Sequence, residues 1–324
     1  MKHISARRLS YAIIGTGALG GYYGAMLRRN GKDVHFLLRS DFEHVSQYGI
    51  SIESVNGNFS VNDLNTYNDV HDMPKCDVVL VTLKTTQNSV LPSILSSVTR
   101  DNGTVIVMQN GLGVEDEVAA IVGDERVMGA LCFICAEKVA PGIICHMDYG
   151  HFMLGQFCRN PRGAGITTAV QQIADDFNSA GVSVKSVANL GEARWKKLVW
   201  NIPFNGLSVA LNASTRELMK NSVSTSLVRT IMEEVVSGAV ACGYDLNREF
   251  IDEMIAATRA MADYRPSMKV DFEQHREIET EYIFKNPLDA AGAHGFAMPS
   301  VAMLYRELLF LDEKNRMHSS QKTY

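Results

Sequence analysis

The feature that most constrains this chain is Gly15-Thr16-Gly17-Ala18-Leu19-Gly20, set between two contrasting segments. Tyr11 to Ile14 before it is a short apolar run suited to a buried strand, and Ala18 to Arg29 after it has helical spacing. Glycines at these intervals between a strand and a helix have a specific physical use. The first permits the tight turn, the second lets the backbone approach a pyrophosphate, and the third lets helix and strand pack closely. The helix N-terminus then faces the phosphates. Gly15, Thr16, Gly17, Ala18, Leu19 and Gly20 are therefore expected to bind a dinucleotide.

The alternation continues beyond this unit. Asp33 to Leu38, Val78 to Thr82 and Thr104 to Met108 are further β-rich runs with helical stretches between them, which implies parallel pairing. Ile50 to Val61 differs: two alternating runs flank Asn56-Gly57, a type I′ hairpin signal, expected as an insertion or an antiparallel edge. Met128 to Phe157 is again strand-like, with a turn at Ala140-Pro141-Gly142. A helix around Thr168 to Ala180 and a strand around Val182 to Val187 close this part, and helix formers dominate after Asn189. The expectation is an α/β protein: a Rossmann-type doubly wound sheet domain over residues 1–189, then an all-helical C-terminal domain over 190–324. A length of 324 residues exceeds the roughly 250 to 300 at which single cores stop growing.

Composition narrows the partners. A net charge of -5 offers no basic field for a phosphate backbone, so no nucleic-acid partner is expected. No window approaches the 18 or so apolar residues of a membrane span. The stretch Met1 to Ser10 runs straight into the first strand and does not read as a signal peptide. Six cysteines are too few for a disulfide framework in so long a chain, so reduced thiols in the cytoplasm are expected. Cys132-Phe133-Ile134-Cys135 has redox or zinc spacing, but no second pair accompanies it and its apolar setting suits a buried strand. No His/Asp/Cys cluster suggests a metal. A homodimer is compatible with the sequence but not required by it.

The end of the second strand bears on which dinucleotide is bound. An NAD protein usually carries Asp or Glu there for the ribose hydroxyls, whereas this strand ends Phe36-Leu37-Leu38-Arg39-Ser40. A guanidinium and a hydroxyl suit a 2′-phosphate, so NADP(H) is expected. The alternatives are a solvated strand-end arginine, or a different strand end that brings Asp41 within reach. Lys84 and Asn110 follow the next two strands, at the edge where ligands of such sheets bind. By themselves they read equally well as a surface lysine and an Asn-Gly turn.

In the second half, Lys197, Asn201 and Asn205 stand at i, i+4 and i+8, on one helical face within an arc of about 80°. Their neighbours Leu198, Val199, Trp200, Ile202, Phe204 and Leu207 would desolvate them, so the polar groups need partners. A polar outer stripe on a core helix is the alternative. Pro203 predicts a kink and Gly206 close packing. Over Ser267 to Gly292, periodicity puts Glu279 on an inward face with Phe272, Tyr282 and Ile283. Glu281 is expected to pair with Lys285, and Glu277 to be solvated.

Together these motifs resemble the ketopantoate reductase family. The resemblance runs from Gly-Thr-Gly-Ala-Leu-Gly through Leu-Leu-Arg39, Val-Thr-Leu-Lys84, Asn110-Gly-Leu-Gly and Trp195-Lys-Lys197-Leu to Asn201, Asn205 and Ser267-Met268, with Glu279 twelve residues later. It implies NADPH-dependent reduction of 2-dehydropantoate, a small 2-oxo acid, to pantoate, with Lys197 as proton donor. It further implies Asn110, Asn201, Asn205, Thr215 and Ser267 as substrate-binding residues and Glu279 at the join of cofactor and substrate. Lys84 and Asn110 match positions lining the nicotinamide side. The sequence departs from the family in having Phe284-Lys285 where Asn-Gly is common, and Pro203 within the binding helix. A reductase of another 2-oxo or 3-oxo acid, or a non-catalytic NADP(H) sensor, are the rival readings.

Overall fold

The computed structural model describes residues 8–321, and side chains as far as Met317; Met1 to Arg7, the basic part of the N-terminal stretch, lies outside the described residues. The chain divides into two compact units. The first takes in the chain up to Gln109 together with Val114–Arg159 and Gly163–Leu190. The second takes in Asn110–Gly113, Asn160–Arg162 and the chain from Gly191 onward.

The first unit is built on one ten-stranded sheet: β1 Ser10–Ile14, β2 Asp33–Leu37, β3 Ile50–Ser54, β4 Phe59–Val61, β5 Asn65–Tyr67, β6 Cys76–Val81, β7 Thr99–Val107, β8 Val127–Ala140, β9 Ile143–Gln156 and β10 Val184–Val187. The order is β4-β3-β9-β8-β7-β6-β1-β2-β5, with β10 alongside β9. From β8 to β5 every pairing is parallel, as expected of strands joined by helical crossovers. Its helices are α1 Ala18–Arg29, α2 Phe42–Tyr48, α3 Leu91–Val98, α4 Val114–Val122 and α5 Thr168–Ser179. Alternation along the strands buries both faces. Tyr11, Ile13, Leu80 and Ile106 join one core with Tyr23 of α1 and Phe177 of α5. Ala12, Ile14, Val79, Val81, Val105 and Val107 are equally buried and point the other way.

The Ile50 to Val61 hairpin is present as an antiparallel edge. Its turn is not type I′, because only Gly57 has positive φ (106°) and the Gly57 N–H donates to the Ser54 carbonyl at 2.9 Å. β8 and β9, two strands of 14 residues each, fill the strand-like stretch from Met128 to Phe157 and pair antiparallel about the expected turn at Ala140-Pro141-Gly142. Cys132 and Cys135 lie on β8 as free thiols.

The second unit has helices α6 Leu190–Ala210, which starts at the last residue of the first unit, α7 Thr215–Lys220, α8 Ser222–Ala241, α9 Glu249–Ala260, α10 Ser267–Glu273, α11 Asn286–Ala293 and α12 Pro299–Gln321. A π-helical turn, Glu281–Lys285, leads into α11. The core gathers Leu198, Val199, Ile202 and Phe204 of α6 with Ile231 and Val235 of α8, Phe284 of the π turn and Val301 and Leu304 of α12. α6 is the centre of this unit, and its buried side chains, Leu198, Val199, Ile202, Phe204 and Leu207 among them, anchor the core. It runs unbroken through Pro203. A Cβ on Gly206 would lie 2.5 Å from Leu304 Cδ2 and 3.1 Å from the Phe284 ring, the close packing its sequence position suggests.

Candidate active site

In the first unit, the sheet register brings three strand ends together. Ile14 of β1 pairs with Leu37 of β2 on one side and Val81 of β6 on the other. The connections that follow, Gly15 to Gly20, Leu38 to Asp41 and Thr82 to Lys84, therefore leave the sheet side by side. The strand order reverses between β1 and β6, which is where ligands bind in open parallel sheets.

Each glycine of the loop has a distinct steric reason. Gly15 has φ +100°, and a Cβ there would meet the Leu83 backbone nitrogen at 2.6 Å. At Gly20 a Cβ would lie 2.5 Å from the Gly15 carbonyl oxygen and 3.0 Å from Ile13 Cγ2, so α1 can sit on β1 only if this residue has no side chain. Gly17 differs: nothing lies within 4 Å of its Cβ position, and its backbone is extended. Packing does not require a glycine there, whereas close approach of a ligand does. No side chain caps α1, so its first N–H groups face outward from the loop. The Thr82 hydroxyl donates to the Gly15 carbonyl at 2.7 Å, and the Thr16 hydroxyl to the Leu37 carbonyl at 3.1 Å, which ties the loop to its neighbours. A glycine-rich loop tied to its neighbours, opening on an uncapped helix end, fits a pyrophosphate.

Beyond β2 the two candidates for reading the ribose separate clearly. Arg39 is exposed, and among the described residues none hydrogen-bonds or ion-pairs with its guanidinium. Asp41 is buried as the N-cap of α2, with Lys138 Nζ at 2.8 Å and the Ser40 hydroxyl at 3.1 Å. Burial alone would raise the Asp41 carboxyl. The Lys138 ammonium, the Ser40 hydroxyl and a Gly142 backbone contact outweigh it and hold the pKa below the ordinary aspartate range. Asp41 is thus occupied within the protein, and Arg39 is left at the strand end.

In the second unit, α6 carries Lys197, Asn201 and Asn205 along one face as expected. Asn201 is 7% exposed, yet no described residue hydrogen-bonds its amide. Asn205 is 3% exposed, and its Oδ1 accepts the Met268 N–H at 3.4 Å, which brings the α10 N-terminus and exposed Ser267 to that face. Ser208, a residue not expected from the sequence, lies on the same face, about 20° around the helix from Lys197. Its hydroxyl is buried without a hydrogen-bond partner. The same count that found Lys197, Asn201 and Asn205 would have found it.

Asn110 belongs to this unit through its own loop. Gly111 has φ +110°, and a Cβ there would meet the Tyr282 backbone at 2.6 Å. The Leu112 N–H donates to the Tyr282 carbonyl at 2.8 Å, and Asn286 Nδ2 donates to the Leu112 carbonyl at 2.9 Å. The Asn110 loop is therefore locked to the π turn that follows Glu279. Phe284, where the family commonly has Asn, is fully buried and packs against Gly206, next to Asn205.

Three expectations are corrected. Glu279 is not on a helical face with Phe272, because α10 ends at Glu273 and Glu279 sits in the connection before the π turn. Lys285 pairs with Asp289 at 2.6 Å rather than with Glu281, the acidic partner lying one turn on in α11. Thr215 is 1% exposed, and its hydroxyl donates to the Tyr264 carbonyl at 3.1 Å and accepts the Tyr264 N–H at 3.2 Å. That hydroxyl is spent on holding α7, so Thr215 is not part of the site developed below. Glu277, as expected, is half exposed, with Arg316 at 3.8 Å. Among the described residues no group of acidic, His and Cys side chains could hold a metal, and no helix is long and apolar enough to cross a membrane.

Fold and site together define an α/β protein with a glycine-rich strand-to-helix loop at the switch point of its parallel sheet, and a second, helical unit. Residues 11–159 match the family described as Ketopantoate reductase PanE/ApbA, and residues 189–311 match Ketopantoate reductase PanE/ApbA C terminal. A 2-dehydropantoate 2-reductase of Nostoc sp. is 50% identical over 306 residues, covering 94% of this chain and 96% of that protein. The crystal structure of 2-dehydropantoate 2-reductase from Geobacter metallireducens is 40% identical with a TM-score of 0.88, covering 93% of this chain and 99% of that one. That from Methylococcus capsulatus is 32% identical with a TM-score of 0.87, covering 95% and 98%. The chain belongs to the ketopantoate reductase family.

Proposed function

We propose that this protein reduces 2-dehydropantoate to pantoate with NADPH, residues 1–189 holding the cofactor and residues 190–324 the substrate. The observation that carries the reading is the α6 face. A lysine and two amides stand in line on one face of α6, and Asn201, 7% exposed, has no described hydrogen-bond partner for its side-chain amide. Such a group is costly unless something binds it. 2-Dehydropantoate offers the carboxylate and hydroxyl oxygens that Asn201, Asn205, Ser267 and Asn110 can hydrogen-bond without an added charge.

When bound, NADPH supplies the hydride that reaches the C2 carbonyl carbon. Its pyrophosphate is assigned to Gly15, Thr16, Gly17, Ala18, Leu19 and Gly20, its 2′-phosphate to Arg39 and its nicotinamide side to Lys84 and Asn110. The protein's own part is to receive the charge that develops on the carbonyl oxygen. Lys197 donates a proton there, a general-acid contribution of about 10²- to 10⁴-fold. The Glu279 carboxylate is assigned the part of orienting the Lys197 ammonium.

Phe284 against Gly206 favours a second reading, a sister reductase whose 2-oxo acid fits a pocket reshaped beside Asn205. The test is to mix protein, NADPH and a panel of 2-oxo acids and follow the nicotinamide absorbance. The proposal expects the highest kcat/KM with 2-dehydropantoate. Equal efficiency with pyruvate or 2-oxoisovalerate favours the sister reductase, and binding of NADPH without turnover of any acid favours a sensor.

A further inference from the structure

The connection that carries Glu279, Gln274 to Glu279, has no regular secondary structure of its own, yet α12 holds it at several points. α10 ends at Glu273, and two residues on His275 takes the left-handed conformation (φ 55°). The Arg276 N–H returns to the Asp271 carbonyl at 2.9 Å and the His275 N–H to the Phe272 carbonyl at 3.1 Å, a Schellman ending without the usual glycine. Asn315 of α12 offsets that strain: its Oδ1 accepts from His275 Nδ1 at 2.6 Å while its Nδ2 donates to the Phe272 carbonyl at 2.7 Å. One turn earlier on α12, Asp312 is 6% exposed and accepts the Ile278 N–H on Oδ1 at 3.3 Å, immediately before Glu279. Its other oxygen faces Arg316 Nε at 3.1 Å, and Arg316 in turn faces Glu277. Asp312, Asn315 and Arg316 stand at i, i+3 and i+4, so one face of α12 grips the connection.

We infer that Asp312 is a positioning residue for Glu279, setting through the Ile278 amide where that carboxylate points. The inference rests on the proposed role of Glu279 in the reductase reaction. A buried carboxylate is an expensive anchor, since burial raises the Asp312 pKa despite the opposing pull of the Ile278 N–H and Arg316. A shift of about 1 Å at a reacting group costs up to roughly 10²-fold in rate, which sets the size of the effect.

The test combines exchange and kinetics on the full chain. In Asp312→Ala, the Ile278 amide should exchange with solvent markedly faster while amides in the middle of α6 keep wild-type protection. The same variant should lose about ten- to hundredfold in kcat with NADPH affinity unchanged, and Asp312→Asn, which keeps the acceptor, should recover most of it. Adding Asp312→Ala to Glu279→Ala should slow the enzyme no further. Unchanged Ile278 exchange, or losses that multiply in the double variant, would overturn the inference. Full activity in Glu279→Ala would instead overturn the proposed role of Glu279, with the exchange result still reporting on the grip itself. Asp312→Ser, whose hydroxyl is too short to reach the Ile278 N–H, gives the same readouts if Asp312→Ala does not fold.

Discussion

Replacing Gly17 with alanine should separate ligand binding from folding, because the loop glycines differ in what surrounds them. Gly17 has φ -84° and ψ -158°, which alanine adopts without strain, and no atom lies within 4 Å of the new methyl. The folded state therefore loses nothing, while the unfolded chain loses freedom, a gain of about 0.4 to 1 kcal/mol. The same methyl occupies the approach to the uncapped end of α1. Losing one charge-assisted hydrogen bond to phosphate costs about 1.5 to 3 kcal/mol, so NADPH binding should weaken about ten- to hundredfold. Gly20→Ala should do the opposite. Its methyl would meet the Gly15 carbonyl oxygen at 2.5 Å and Ile13 Cγ2 at 3.0 Å, and overpacking of this kind costs about 1 to 3 kcal/mol. Thermal unfolding without nucleotide and fluorescence titration with NADPH measure the two effects. The reasoning is refuted if Gly17→Ala binds NADPH like the wild type, or if it is destabilised as much as Gly20→Ala.

Arg39→Ala should weaken NADPH about ten- to hundredfold and leave NADH almost unchanged; equal weakening of both would show that Arg39 does not read the 2′-phosphate. Lys197→Ala should lower kcat by about 10²-fold or more with NADPH binding intact, and combined with Glu279→Ala it should lose less than the product of the single losses. Simple multiplication of those losses would mean that the two act independently. Ser208→Ala removes a buried hydroxyl with no hydrogen-bond partner among the described residues, so it should raise the melting temperature or leave it unchanged, and a clear fall would reveal a partner that forms in solution. Asp41 has a lowered folded-state pKa, so its pairing with Lys138 stabilises above the unfolded aspartate value, about 3.9, and that stability is lost as pH falls through the folded value. Wild-type stability should accordingly drop more than that of Lys138→Met between about pH 5 and about pH 3, and parallel acid profiles for the two would contradict the assignment.

What could be read from the sequence is what depends on neighbours within a turn or two. The Gly15 to Gly20 loop is legible because steric freedom and helix polarity are local properties. The α6 face is legible because 3.6 residues per turn puts Lys197, Asn201 and Asn205 in line whatever surrounds them. Tertiary structure decided the rest. Periodicity continued Glu279 into a helix because the residue that turns the chain after α10 is His275, and its left-handed conformation depends on Asn315, forty residues away. Asn110 reads as the end of a strand in the first domain, but the Gly111 approach to Tyr282 and the Asn286 hydrogen bond, across 174 residues, attach it to the second unit. Thr215 looks like a substrate contact until Tyr264 takes both functions of its hydroxyl. Asp41 and Arg39 are two residues apart, and the sequence favours Arg39 but leaves Asp41 within reach of a different strand end. Lys138, 97 residues on, engages one carboxylate and leaves the guanidinium exposed. A polar side chain's role is set by who satisfies it, and those partners are chosen by packing between segments distant in the chain.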